Sequence, residues 1–447
     1  MRVLAIDIGS TTIKVALLHN HRLASVVLSA PTPATYHGDR AEIDAAQLLK
    51  RLTHLVAQLP ADKRRADCIA HCCLCPGLVG LDRRGRPVTP IITHQDRRSI
   101  PQAQWLQTRL SQAQWLGIAG NLPFPGGISC TSILWLKENA RDTFRRIHTF
   151  AHVSTLVGAF MTGKRVIDSS NASFTGLYET TTLAGFSAIL CRTAGIDPRR
   201  LPEVRPAHAQ AGTLTASAAR RMRLPAGLPV LAGITDTSAA ILAARAEVGQ
   251  LSHSIGTTNV MAVVTDKPHP HAKRLTRALG TGRKWMSVCT LAAGAATFDW
   301  LHRNLFADRS SRRFHELLNQ LAKDPIATQV RFEPYLAGDR MSITQRQARI
   351  AHLTLAATRE QILQAALHAV ARQTAQSLKR LRPFVDPERP VIVVGGAAPL
   401  ARALHALWPG TWRFRTLRNA TLVGLARLAE MQSDPAAPPV RPPLPRR

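Results

Sequence analysis

The run Asp7-Ile8-Gly9-Ser10-Thr11-Thr12-Ile13-Lys14 sets an acid, a turn of small and hydroxyl-bearing residues, and a base close together. Such a turn offers backbone N–H groups and hydroxyls at short range, which is what phosphate oxygens require. Asp7 can hold Mg²⁺, usually through water, and Lys14 can meet a phosphate charge. A second turn of the same kind, Gly256-Thr257-Thr258, makes a phosphate clamp with two sides the expectation.

Ala232-Gly233-Ile234-Thr235-Asp236-Thr237 carries a different chemistry. An apolar strand ends there in an acid, and an apolar helical run, Ser238 to Ala244, follows. A carboxylate at a strand end facing a cleft can take a proton from a hydroxyl nucleophile. An acid in that place can also cap the helix, and spacing alone leaves both readings open. A third run, Val391-Ile392-Val393-Val394-Gly395-Gly396, is a strand entering a glycine pair, suited to the close approach of a flat ligand such as adenine. Gly158 to Arg165 nearly spells a P-loop. Its Mg²⁺-binding hydroxyl is replaced by Arg165 and a helical run precedes it, so it reads as a helix ending at Gly163.

The elements that must position these groups follow from pattern. Val3 to Ile6 and Ile13 to Leu18 flank the first turn as a hairpin, and the stretch 251–265 repeats that design with Ile8-Gly9 falling on Ile255-Gly256. A repeat this widely spaced predicts two similar domains that face one another, with the site in the cleft between them. Amphipathic runs at Ile133 to Arg146 and Arg359 to Leu381, with apolar runs at Cys68 to Val79 and Val391 to Val394, make both halves α/β. Leu224-Pro225-Ala226-Gly227-Leu228-Pro229 punctuates the chain, so the expected division is 1–228, 229–432 and a Pro/Arg-rich extended tail at 433–447.

Composition sets the outer bounds. The chain has 447 residues, 45% hydrophobic, with Lys+Arg 58 against Asp+Glu 28 and a formal charge of +30. A core of two domains is within reach, and whole-chain disorder and a disulfide miniprotein are excluded. The charge invites a nucleic-acid reading, but only 10 of the 58 cations are lysines, the arginines are scattered, and aromatics are 5%. Nucleic acid is therefore not the expected partner. Seven cysteines, four of them at Cys68, Cys72, Cys73 and Cys75, fit a reducing cytoplasm better than a secreted framework, and strand alternation would bury half of that group. Asp7 and Lys14 interrupt the N-terminal apolar run, so neither a signal peptide nor a membrane span is expected.

These runs, in this order, resemble the FGGY family of carbohydrate kinases, in particular its xylulose-kinase branch, over nearly the whole chain from Val3 to about Ala429. The resemblance extends to Gly85-Arg86-Pro87 with His94-Gln95-Asp96-Arg97-Arg98, to Ile133 through Asn139, to Met161-Thr162-Gly163 with Asp168 through Ser173, and to Glu333 through Arg340. It implies two duplicated ribonuclease H-like, actin-like ATPase domains. It also implies ATP and Mg²⁺ as cofactors, with Asp236 the general base and Asp7 the residue holding the metal. Ser10, Thr11, Thr12 and Lys14 would surround the phosphates, Gly256 and Thr257 would close on them, and Gly395 and Gly396 would lie beneath the adenosine.

The match departs from the family on the sugar side. Xylulose kinases carry a methionine-histidine pair, and glycerol kinases an arginine-glutamate pair, where this chain has Cys75-Pro76-Gly77. The block that begins with tryptophan in the family begins here with His94. Asp96 keeps its place, either to accept sugar hydroxyls or to pair with Arg97 or Arg98. Cys75, Pro76, His94, Asp96 and Asp236 are thus the positions expected to face the sugar. The usual asparagine after Gly396 is missing. A ketose such as xylulose is the expected substrate, ahead of gluconate or another sugar or polyol, and a homodimer is an assembly compatible with this. The rival expectations are an actin-like ATPase switch and a nucleic-acid binder on a kinase fold.

Overall fold

The computed structural model describes residues 1–432 except 340, 345, 396 and 397, and omits the side chains of 63, 398 and 399. Gly396, Arg340 and the proposed tail at 433–447 lie outside the described residues. The chain divides into two units. One comprises Met1–Ala246, Thr265–Met286 and the run from Asn419, and the other Glu247–Val264 and Ser287–Arg418.

The first unit is built on a sheet in which Arg2–Ile8 pairs antiparallel with Thr12–His19 and parallel with Cys68–Cys73. These strands are continuously apolar because both faces are covered. Period-two alternation sends Leu4, Ile6 and Ile8 to one face, against Leu48, Leu52 and Val56 of the helix Ala45–Gln58. It sends Val3 and Ala5 to the other, against Leu422, Leu425 and Leu428 of the helix Ala420–Gln432. The same double cover corrects the cysteine expectation: Cys68, Cys72 and Cys73 are all buried, not half of them. A second, antiparallel sheet of the unit contains Gly77–Leu81 and Ile91–Thr93. The run expected as one strand, Cys68 to Val79, is therefore two, because Pro76 has no N–H to continue a ladder. The helix expected over Ile133 to Arg146 likewise breaks at Ala140 into Cys130–Asn139 and Arg141–Arg146.

The boundary expected at 228 is also corrected. Pro229–Leu231 is a strand of the first sheet, with Val230 opposite Ile69, so the first unit runs on to Ala246. The proline-glycine punctuation marks a tight turn inside a domain, and long-range pairing decides where the domain ends. The near-P-loop is a helix, Val153–Thr162, closed by Gly163 in the left-handed region at φ 72°.

Helix Ala420–Gln432 crosses helix Asp236–Ala243 at Gly424, where a Cβ would stand 1.8 Å from the Ala239 carbonyl oxygen. Only glycine permits that approach. Gly424→Ala is expected to cost about 1–3 kcal/mol through forced separation of the two helices, read as a lower melting temperature. A loss below 0.5 kcal/mol would show that the helices can separate freely.

In the second unit Leu251–Ile255 pairs with Asn259–Thr265 and, in parallel, with Val391–Val394, which in turn pairs with Phe414–Leu417. The long helix Arg359–Leu381 begins at a capping box, Thr358 and Gln361 each bonding the other's backbone N–H. The duplicated hairpins are not identical. Ile8 faces Ile13, enclosing Gly9 to Thr12, whereas Ile255 faces Asn259, enclosing three residues.

Behind the second hairpin, His253 bonds Asn259 Oδ1 through Nε2 at 2.7 Å and His405 Nε2 through Nδ1 at 2.8 Å. Burial holds the His253 imidazole neutral to about 3 and that of His405 to about 4. Burial also depresses His368, and bonding depresses Asp386 and Asp308, so these resolved shifts of the second unit share one sign. In the unfolded chain a histidine titrates near 6.5, so below that pH the unfolded state binds protons that the folded unit refuses, and stability falls with pH. The first unit also holds two such histidines, His71 and His152, each lowered by burial to about 4, but there burial raises Asp7, Asp96 and Asp168, which take up protons while folded and offset part of that loss. We expect the second unit to lose roughly 2 kcal/mol by pH 5.5 through its two deeply shifted histidines. In hydrogen exchange the amides of Val391–Val394 should lose protection before those of Val3–Ile8, and the reverse order would contradict this.

Candidate active site

Three strand ends of the first unit bring the acids together. Asp7 lies opposite Cys72 in the parallel pair, and Ile234 and Thr235 lie opposite Cys72 and Cys73 on that strand's other side. Asp236, the next residue, therefore emerges at the same carboxyl-terminal end as Asp7, two strand spacings or about 10 Å across. Electrostatics reports the same neighbourhood. Burial first, then the charges of Asp7 and Asp236, push the Cys72 and Cys73 thiols well above their ordinary range.

Asp7 is 5% exposed, and desolvation raises its carboxyl above the usual range. The Thr421 hydroxyl, donating to Oδ2 at 2.7 Å, and Lys14, 3.9 Å away, pull it partly back. Its antiparallel register puts Asp7 directly opposite Lys14. Ser10 and Thr11 form the bend between the strands, closed by Gly9 N–H donating to the Thr12 carbonyl at 3.0 Å. A carboxylate oxygen beside hydroxyls is the hard donor set that Mg²⁺ accepts.

Asp236 is the first residue of its helix and Thr235 occupies the cap position, so the capping alternative does not describe it. Its Oδ1 accepts from Thr237 N at 2.6 Å and from Thr237 Oγ1 at 3.2 Å. Gly233, at φ 89°, leads into this turn because a Cβ there would lie 2.4 Å from His71 Nε2.

The sugar-side residues gather at the neighbouring sheet edge. Gly77 pairs with Thr93, which sets Pro76 beside His94, and Cys75 follows two residues beyond Cys73 at the strand end just described. Cys75 Sγ lies 3.5 Å from His152 Nδ1, and His152 Nε2 lies 2.7 Å from Ser129 Oγ. Asp96 corrects one expectation. It is 1% exposed and accepts from Ala41 N–H and from Arg98 backbone N–H, Nε and Nη2. The pairing alternative holds, and its oxygens are committed to the fold.

In the second unit Gly395, at φ 111°, bends back so closely that a Cβ would lie 2.2 Å from the Ile255 carbonyl oxygen, immediately before Gly256. Sequence reasoning missed two partners of this machinery. The start of helix Ala295–Leu305 bonds the second turn, Gly294 N–H to Thr257 O and Ala295 N–H to Gly256 O, both at 2.9 Å. The glycine-alanine run before an amphipathic stretch was its available signal. Thr421 on Asp7 had none, being 414 residues away.

Residues 2–243 match the N-terminal domain, and residues 251–432 the C-terminal domain, of the FGGY family of carbohydrate kinases. A xylulose kinase of Streptomyces coelicolor is 28% identical over 402 residues, 89% of this chain and 80% of the relative. The crystal structure of xylulose kinase from Rhodospirillum rubrum superposes with a TM-score of 0.83 at 24% identity, covering 98% of this chain and 91% of that one. Gluconate kinase from Lactobacillus acidophilus superposes at 0.81 with 17% identity, covering 97% and 89%. Among the described residues no helix is long and apolar enough to cross a membrane. With both family domains matched in order along the chain, and with that fold, the protein belongs to the FGGY family of carbohydrate kinases, sugar phosphotransferases that use ATP with Mg²⁺.

Proposed function

We propose that this kinase phosphorylates a hydroxyl of a small ketose, xylulose first, and that Asp236 takes the proton from the attacking oxygen. The observation that carries the reading is the emergence of Asp7 and Asp236 at one strand end, beside Cys75, Pro76 and His94. Phosphoryl transfer asks for placement and charge neutralisation more than for covalent chemistry, so a rigid sheet edge is the right support. Asp7 would hold Mg²⁺, which when bound offsets the negative charge of the phosphates. Burial already disfavours a lone carboxylate there, so a cation is a fitting neighbour. Ser10, Thr11 and Thr12 would offer hydroxyls and N–H groups to the phosphates, with Lys14 as a point charge.

In this reading the first unit takes the sugar and the second the nucleotide. Gly256 and Thr257 would meet phosphate, their turn held in place by the N–H groups at the start of helix Ala295–Leu305, and Gly395 would back the adenosine. Gly396, outside the described residues, shares that expectation. A reducing cytoplasm suits the buried thiols of Cys68, Cys72 and Cys73.

The test is a coupled ADP-release screen over ketoses, aldonates and polyols. A ketopentose should give the highest kcat/KM. Gluconate is the second reading, supported by the likeness to the gluconate kinase structure, and an aldonate as best substrate would replace xylulose with it. ADP release indifferent to every sugar would sink both.

A further inference from the structure

Asp168 is wholly buried and has no part in the chemistry above. Sealing a carboxylate from water is costly unless donors surround it. Its Oδ2 accepts from Ser170 N–H at 2.8 Å and from the Ser170 hydroxyl, and its Oδ1 accepts from Asn171 N–H at 3.3 Å and Asn171 Nδ2 at 2.6 Å. Capping the four-residue helix Ser169–Ala172 accounts for the two backbone bonds only.

The Ser170 hydroxyl leads onward. Its hydrogen is given to Asp168, so its oxygen is left to accept, and it accepts the backbone N–H of Thr235 at 3.1 Å. A hydroxyl has one hydrogen, so the carboxylate fixes which way it points. Thr235 is bound on its other sides too. It lies opposite Cys73 in the sheet, and its Oγ1 donates to Ser238 Oγ at 2.9 Å. The residue after it is Asp236. Over the pair lies Gly280, at φ 94°, where a Cβ would stand 2.9 Å from Asp168 Oδ2 and 3.1 Å from Ser170 Cβ. That closeness leaves no room for water between the loop and the carboxylate.

We propose that Asp168 and Ser170 are positioning residues for Asp236. The buried carboxylate orients the Ser170 hydroxyl, the hydroxyl holds the Thr235 N–H, and the backbone so fixed aims the carboxylate one residue further on at the substrate hydroxyl. This rests on the reading of Asp236 as general base. Burial holds Asp168 at about 6, so near neutral pH it is chiefly the ionised acceptor that the arrangement needs.

The test uses the full chain and the best sugar from the screen, with kcat, KM for ATP and the melting curve measured for Ser170→Ala, Asp168→Ala, Asp236→Asn and the double variant Ser170→Ala/Asp236→Asn. Ser170→Ala should lower kcat by about 10- to 100-fold with KM for ATP within about twofold of the parent. In the double variant the loss should not add to that of Asp236→Asn, because a residue acting through the base has nothing left to aim. A kcat for Ser170→Ala within twofold of the parent, or a further loss of equal factor in the double variant, overturns the relay while leaving the base reading intact. Turnover retained in Asp236→Asn overturns the base reading and the relay together. Should Ser170→Ala fail to fold, Asp168→Ala decides: it removes the acceptor that turns the Ser170 hydroxyl, and an unchanged kcat there overturns the relay.

Discussion

Asp236→Asn should lower kcat by roughly 10²–10⁴-fold, the range in which a positioned general base contributes. The substitution is chosen for what it leaves alone. An asparagine oxygen still accepts from Thr237 N–H and Thr237 Oγ1, so the first turn of helix Asp236–Ala243 keeps its local bonds. The loss of negative charge at a helix start costs about 0.3–1 kcal/mol, too little to unfold the unit. KM for ATP should stay within about threefold, since the groups proposed to meet the phosphates lie on the Arg2–Ile8 hairpin, one strand removed, and on the turn between Ile255 and Asn259 of the second unit. A loss confined to kcat marks an interaction made in the transition state, whereas a rise in KM with kcat unchanged would mark uniform binding. A kcat within tenfold of the parent would remove Asp236 from the role of base.

What was legible in advance follows from how local the information is. The helix Arg359–Leu381 and the strand Val391–Val394 lie where their periodicity places them, because amphipathic spacing and the capping residues sit within the element itself. The first hairpin was readable for the same reason, its Gly-Ser-Thr turn lying between two apolar runs. Its counterpart was recognised as a repeat, but not as a loop one residue shorter, since the pairing of Ile255 with Asn259 is decided by neighbouring strands. The end of the first domain was misplaced because Pro229–Leu231 looks like a beginning until Ile69 is known to be its partner. In the site, Asp7 and Asp236 carried recognisable surroundings. The Thr421 hydroxyl on Asp7 and the Ser170 hydroxyl on Thr235 did not, because each bond joins residues distant in sequence. Part of the positive charge serves the fold. Several arginines are spent inside the fold, Arg277 on the Ser173 and Gly127 carbonyls and Arg98 on Asp96 and Glu42.

Arg98 carries the largest stability effect we expect. Its guanidinium binds both oxygens of Asp96, reaches Glu42 Oε1 at 2.6 Å, and lies 4.9 Å from the centre of the Trp135 ring. Asp96 is 1% exposed, and burial raises its carboxyl while the Arg98 bonds and the Ala41 N–H pull it back. Arg98→Ala removes that restraint and leaves a charge in the interior, a loss of about 3–5 kcal/mol, more than a surface ion pair could account for. The sign of the pH dependence separates this cause from mere lost packing. With Arg98 gone the Asp96 carboxyl titrates higher, so the folded variant takes up a proton as pH falls and regains stability. The gap in melting temperature between parent and variant should narrow from pH 7 to pH 5, and Asp96→Asn in the Arg98→Ala background should recover part of it at pH 7. A gap that is the same at both pH values, with no recovery from the second substitution, would show that Arg98 acts through its contacts with Trp135 and not through the buried charge.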